Sequence, residues 1–452
     1  MTEPLGFSLK LSQNKYLSLS DTTMDAVLAV TSTGGSAAEA AEVLLVDCSS
    51  SMDWPPGKIE AAREAAMAVI DTLRDDVLFA IVQGTEAATM VYPDTPGLLP
   101  VNPETRAAAK KAASGLIASG GTAMSTWLRL AGKLMEPYPG RVRHAILLTD
   151  GRNQSERRTL LEATLKECDF ACDARGIGDD WDPYELSLIT RALRGRADAV
   201  VEEGALAEDF RQLTGMVMGK VLPELRLRIT TAPGTRLKFL KQKWPLQEDF
   251  TDLVVETGPN IVELATGPWG AETREYHLCL EIGPGERVLG QEVDFGEVGL
   301  VDIGHPTRVL GHFTADRALS GRRSDDEVRV REYDEMTAAA LNGLAALELG
   351  DQDKAIAYWG VAIRLATKHG NADLLSRLRP IVGPDDTGRM RIKQDIRQRD
   401  IYSLIQGASV TGSGHRPRLP EAGGPDLVCA ECAWISPPGS KICVKCGHRE
   451  FR

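Results

Sequence analysis

The stretch VLLVDCSSSMD, Val43 to Asp53, ends an apolar run on an aspartate and follows it with small hydroxyl residues. Packing does not require such an ending. Asp47, Ser49 and Ser51 alternate across the turn, so their oxygens can converge on one point. Two later pieces offer matching groups: Gly120-Gly121-Thr122, a tight loop opening a helix, and Leu147-Leu148-Thr149-Asp150-Gly151, a second apolar run ending in a carboxylate and a turn glycine. Two carboxylates and three hydroxyls, all oxygen donors, suit a hard octahedral cation such as Mg²⁺, with Mn²⁺ or Ca²⁺ as substitutes. A Zn²⁺ site would need His or Cys, and Cys48 should point away from the other donors. Zinc is expected elsewhere. CAEC at 429–432 and CVKC at 443–446 set Cys429, Cys432, Cys443 and Cys446 at a spacing that lets four thiolates surround Zn²⁺ tetrahedrally.

Positioning these groups requires strands that end at one edge. From Glu42 to about Met218 apolar runs (Val43–Val46, Val77–Val82, Ala145–Leu148) alternate with helical patterns such as Ile59, Ala62, Ala66, Val69, Ile70 and Leu73. Such alternation predicts a parallel sheet covered on both faces, whose carboxyl edge is where open α/β sheets place ligands. The flanks read differently. FSLKLS and DAVLAVTS before this unit are two strands. After Gly219, Leu225, Leu227 and Ile229, then Tyr276, Leu278, Leu280 and Ile282, alternate with polar residues. That is the period of an antiparallel sheet with one wet face. Two early strands are too few to stand alone, so the prediction is a β-sandwich with the α/β unit inserted into it.

The expected organisation is therefore sandwich strands in 1–38, the α/β domain in 39–220, and the rest of the sandwich in 221–318. A helical hairpin of tetratricopeptide type follows in 325–380, docked on the sandwich because one such unit cannot bury its own face. A linker in 381–425 and a small cysteine module in 426–452 complete it. The basic run Arg389, Arg391, Lys393, Arg397 and Arg399, interleaved with acids, reads as a solvated face.

The set DCSSS at 47–51, GGT at 120–122 and TDG at 149–151 resembles the metal-ion-dependent adhesion site of von Willebrand factor A domains, which carry Asp-x-Ser-x-Ser, a later Thr and a later Asp on a doubly wound sheet. The resemblance spans about 175 residues. It implies that Ser49, Ser51 and Thr122 bind the ion directly or nearly so, that Asp47 and Asp150 support it, and that an open position accepts an Asp or Glu from a partner protein. Met52-Asp53-Trp54-Pro55-Pro56 departs from the smaller residues common beside that site. The cysteine module resembles a zinc ribbon. The order of parts is similar to bacterial proteins that accompany Ser/Thr kinases and phosphatases, which implies a scaffold in phosphorylation signalling or stress response.

Composition narrows the alternatives. The 452 residues carry a formal net charge of −12, which disfavours nucleic-acid or anionic-membrane binding, since phosphate attraction needs a basic face. No apolar stretch is long enough to span a bilayer, and no secretory signal is apparent. Scattered Cys48, Cys168, Cys172 and Cys279 with one clustered set fit a reducing cytoplasm better than a disulfide scaffold. Gly176-x-Gly178 lacks the third glycine of a dinucleotide loop. No Gly-x-Ser-x-Gly elbow surrounds Ser49. The leading expectation is a non-catalytic, metal-dependent protein-binding protein. The alternatives are a Mg²⁺-dependent hydrolase using the same site, for which Asp53 is the nearest general base, and nucleic-acid binding through the cysteine module.

Overall fold

The first strands are β1 (Phe7–Ser12), β2 (Tyr16–Ser18) and β3 (Thr23–Ser32). In this computed structural model residues 6–408 are described apart from Pro55, Leu246, Glu286, Asp302, Asp386 and Thr387, together with Leu427, Val428, Ala430, Ile435 and Ser436. The α/β unit follows as β4 (Ala40–Asp47), α1 (Lys58–Thr72), β5 (Leu78–Gly84), β6 (Ala88–Tyr92), β7 (Leu99–Pro100), α2 (Pro103–Ser114) and α3 (Met124–Met135). It continues through β8 (Val142–Thr149), α4 (Arg158–Glu167), β9 (Ala171–Ile177), α5 (Pro183–Ala192), β10 (Ala197–Val200) and α6 (Leu206–Met218).

Every residue of β4 is buried, because the sheet is covered on both sides. The strand order is β10-β9-β8-β4-β5-β6, parallel except for the edge strand β6, with β7 antiparallel to β5. Ala62, Val69, Ile70, Phe210 and Leu213 from α1 and α6 fill one face. Trp127, Leu128, Leu161 and Leu186 from α3, α4 and α5, with Trp181 from the loop before α5, fill the other. The helices that follow β4 and β8 therefore leave on opposite faces. Between two such strands the loops splay apart above the carboxyl ends, which opens a crevice there.

The remaining β-strands are β11 (Arg226–Thr231), β12 (Thr235–Trp244), β13 (Glu248–Asp249), β14 (Val255–Gly258), β15 (Ile261–Ala265), β16 (Thr273–Ile282), β17 (Glu292–Leu300) and β18 (Gly304–Thr314). One sheet runs β1-β3-β16-β12-β13 and the other β14-β15-β11-β17-β18-β2. Leu28, Val30, Leu278 and Leu280 of the first sheet share a core with Leu227, Ile229, Phe295 and Val298 of the second. Early and late strands thus interleave, and the chain enters and leaves the α/β unit side by side: Ala38 N donates to Lys220 O at 2.8 Å.

The outer face of the first sheet is not simply wet. After α7 (Arg317–Ser320), the long α8 (Asp325–Glu348) lies against it. Arg329 pairs with Glu275 at 2.7 Å, and Lys243 pairs with Asp334. Cys279, on the polar phase of β16, is buried as well. The helical segment also exceeds a hairpin. Beyond α9 (Gln352–His369) come α10 (Ala372–Leu378), strands β19 (Val382–Pro384) and β20 (Met390–Ile392), and α11 (Gln398–Gly407). One core joins Ala340, Trp359, Leu374, Val382 and Leu404.

The expected linker from residue 381 therefore carries β19, β20 and α11 among its described residues up to 408, and the reading of Arg397 and Arg399 as a solvated face is corrected. Arg397 pairs with Glu202 at 2.7 Å, Arg399 donates to Val201 O at 2.9 Å, and the Tyr402 ring packs edge-on against Trp181. Ten residues with charges on both sides give too short a periodic signal to stand out as a helix. Leu427–Val428 pairs antiparallel with Ile435–Ser436. Cys429, Cys432, Cys443 and Cys446 lie outside the described residues. Among the described residues no helix is long and apolar enough to cross a membrane.

Candidate metal centre

The carboxyl ends of β4 and β8 are neighbours, and the loops beyond them bring the five predicted oxygen donors together. Asp47, the last residue of β4, is fully buried and held from two sides: Ser49 N donates to its Oδ1 at 2.8 Å and Thr149 Oγ1 to its Oδ2 at 2.5 Å. Fixing Asp47 this way folds the serine turn back over the strand end. Ser49 Oγ and Ser51 Oγ then stand 2.9 Å apart, and Ser51 Oγ donates to Asp150 Oδ1 at 2.6 Å.

Thr122 reaches the same place through its own loop. Ser50 N donates to Gly120 O at 2.9 Å and Ser119 N donates to Cys48 O at 2.6 Å, tying the two loops along their backbones. The loop after Asp150 closes the third side. Ser155 N donates to Thr122 O at 2.9 Å, and Thr122 N donates to Ser155 Oγ at 3.1 Å. Asn153 Oδ1 accepts from Met124 N and Glu156 Oε1 from Ser125 N, both at 2.9 Å, capping the first turn of α3 from another element. Gly151 faces the gathered hydroxyls. A Cβ there would stand 3.2 Å from Ser51 Oγ and 3.8 Å from Thr122 Oγ1.

The layering has chemical meaning. Asp47 and Asp150 are buried at the base and Ser51 is half-exposed above them. Burial pushes the Asp47 carboxyl up to about 6, against the lowering effect of its hydrogen bonds with Ser49 and Thr149. A buried carboxylate in that state is stabilised by positive charge. The donor set fits a small hard cation: oxygens at adjacent octahedral positions around Mg²⁺ stand about 2.9 Å apart when each bond is about 2.05 Å, which is the spacing of the two serine hydroxyls. Among the described residues no group of three or more His, Cys, Asp or Glu side chains is arranged to hold a metal ion; the set described above is built mainly on hydroxyls.

Sequence reasoning missed two members of this neighbourhood. Thr149 is the side-chain donor that anchors Asp47. Lys58, the first residue of α1, is only 1% exposed and places Nζ 2.6 Å from Asp150 Oδ2. No sequence signal marked Lys58, because its acid partner lies 92 residues further along the chain. The residues set aside from the sequence stay outside the centre. Cys48, Cys168 and Cys172 are free thiols, with burial pushing the first two up to about 12 and 11 and holding the third well above its ordinary value. Gly178, at φ +78°, is no part of a dinucleotide loop and instead lines the Lys58 side chain.

Comparison with known proteins agrees with this fold. The family profile described as von Willebrand factor type A domain matches residues 41–199. A solved structure of a von Willebrand factor type A protein from Catenulispora acidiphila is 38% identical with a TM-score of 0.82, the match covering 90% of this chain and 97% of that one. The ArnB paralog VWA2 from Sulfolobus acidocaldarius, 13% identical with a TM-score of 0.53 over 90% of this chain and 98% of its own, shares the fold. No curated protein sequence matches.

Proposed function

The chain belongs to the von Willebrand factor type A family, and from that membership we propose that it is a non-catalytic protein-binding module whose grip on a partner depends on a divalent cation. One observation carries the reading: five oxygen-bearing side chains from three separate loops, Asp47, Ser49, Ser51, Thr122 and Asp150, meet at the crevice of the sheet. Mg²⁺ is the proposed cellular ion. Bound there, it supplies an electrophilic position that a carboxylate oxygen of a partner Asp or Glu can occupy.

The protein's own groups divide the work. Ser49, Ser51 and Thr122 present neutral oxygens to the centre, Ser51 half-exposed and the other two buried. Asp47 holds the serine turn in shape through the Ser49 amide, and Asp150 orients the Ser51 hydroxyl. Trp54, three residues after Ser51 and 75% exposed, offers a flat apolar surface that a partner can cover. A hydrolase would need a general base within reach of a bound water. Lys58 is buried against Asp150 and Asp53 is exposed, and binding is the reading proposed.

Cys429, Cys432, Cys443 and Cys446 remain the proposed zinc module, and a second linked contact would raise avidity. The free thiols Cys48, Cys168, Cys172 and Cys279 support a cytoplasmic setting. A role in bacterial Ser/Thr phosphorylation signalling or stress response rests on family analogy.

The test is capture of partners on immobilised full-length protein, comparing wild type with Asp47→Ala/Ser49→Ala, with Mg²⁺ or with EDTA. Proteins lost equally in the folded variant and in EDTA are the expected result. An unchanged set of captured proteins would overturn the reading.

A further inference from the structure

Asp150 divides its two oxygens between opposite tasks. Oδ1 accepts the Ser51 hydroxyl on the open side of the centre, while Oδ2 accepts Lys58 Nζ on the closed side, both at 2.6 Å. The lysine is placed there by several local features. Gly57, at φ +114°, turns the chain into α1 so that its first side chain enters the protein. Gly178, at the end of β9, leaves the channel open: a Cβ there would stand 3.3 Å from Lys58 Cε and 3.5 Å from Nζ. The ammonium is fully desolvated and sits at the helix end whose dipole repels it. Burying a cation in this way costs several kcal/mol before its partner compensates.

We propose that Lys58 is a resident counter-charge of the centre, which neutralises Asp150 so that a bound dication keeps a net positive charge and selects an anionic ligand from the partner. This rests on the metal-dependent reading above and extends it. The charge balance is direct. Asp47, Asp150 and Lys58 together carry one negative charge. A dication makes the set positive by one, and a partner carboxylate brings it to zero. Without the lysine the two carboxylates alone would neutralise the dication, and an incoming carboxylate would leave an excess negative charge in a buried place. Lys58 thus weakens the resting hold on the metal and strengthens the hold on the partner's acid. It is a positioning and charge-setting residue that does not itself touch either ligand.

The test uses the full chain with Mn²⁺ as the metal probe, read from the free-ion electron paramagnetic resonance signal, and acetate as the carboxylate probe, read from displacement of water on Mn²⁺ by proton relaxation. Lys58→Met keeps the length of the stem and removes the charge. The expected result is Mn²⁺ binding at least about tenfold tighter than wild type and an acetate requirement at least about tenfold higher. A folded Lys58→Met protein that binds Mn²⁺ no tighter than wild type overturns the inference and leaves the metal-dependent reading standing. Absence of Mn²⁺ binding in both proteins overturns both. Because the variant leaves Asp150 buried without its partner, Lys58→Met/Asp150→Asn is compared with Asp150→Asn alone. The inference requires the double variant to bind Mn²⁺ at least about tenfold more tightly. Equal affinities would mean that the pair serves packing alone.

Discussion

At the scale of single residues, the centre depends on buried polar groups whose partners are exact in position. Thr149→Val removes the side-chain donor to Asp47 and leaves a buried carboxylate with one interaction fewer. Hydrogen bonds to charged groups contribute about 1.5–3 kcal/mol, so urea denaturation should show a loss of that size and Mn²⁺ affinity should fall with it. Trp54→Ala should behave in the opposite way, leaving Mn²⁺ affinity within about twofold while weakening partner capture by about tenfold, since an exposed aromatic anchor contributes about 1–2 kcal/mol when a partner covers it. Both effects separate the two halves of the site in one set of measurements. The five donors were legible in the sequence because each follows an apolar run or a glycine pair. Lys58 and Thr149 were not, because their roles arise only once α1 and β8 lie beside β4.

At the scale of elements, the sheet is stabilised at its far end by a buried charge cluster. His144 on β8 lies between Glu42 on β4, at 2.9 Å, and Asp173 on β9, at 3.0 Å. Burial alone would lower the imidazole, but the charge of Glu42 and the hydrogen bonds with both acids raise it to about 10. Its folded value lies above the unfolded value of about 6.5. The stabilisation it gives is therefore complete below pH 6.5 and is lost as pH rises toward 10. Replacing it, as in His144→Leu, leaves the buried Glu42 without its partner and Asp173 with the Arg196 amide alone, and should cost about 3–5 kcal/mol at pH 7 by urea denaturation, with less difference from wild type at pH 10. The buried centres of β4 and β8 were legible because Val43–Val46 and Ala145–Leu148 are continuous apolar runs bounded by turn residues. The triad was invisible since Glu42, His144 and Asp173 are distant in sequence and meet only across parallel neighbours.

At the scale of the whole molecule, the segment after α9 straps the helical region to the α/β unit. Arg377 on α10 reaches Asp198 on β10 with Nη1 to Oδ1 at 2.6 Å and Nη2 to Oδ2 at 2.7 Å. Burial alone would raise Asp198, but Arg377, with Arg196 and Arg175, holds it well below the usual carboxylate range. The pair's contribution is present above about pH 3.9 and disappears as pH falls through the depressed value. Arg377→Met should expose residues 381–408 to faster hydrogen exchange and cost about 3–5 kcal/mol, without changing Mn²⁺ affinity. The sandwich and the inserted sheet were readable from their two periods, 2 and 3.6. The strap was not, because its two-part contact with β10 and α5 uses charges, and charges in a polar stretch look the same whether they face water or a partner.

The most direct measurement is anomalous diffraction at the manganese edge from crystals of the full chain equilibrated with Mn²⁺. The account predicts a peak about 2.0–2.2 Å from both Ser49 Oγ and Ser51 Oγ, close to Thr122 and above Asp47 and Asp150. It predicts that this peak is lost in Ser49→Ala/Ser51→Ala. A saturating concentration of Mn²⁺ that leaves no density between those hydroxyls would contradict it.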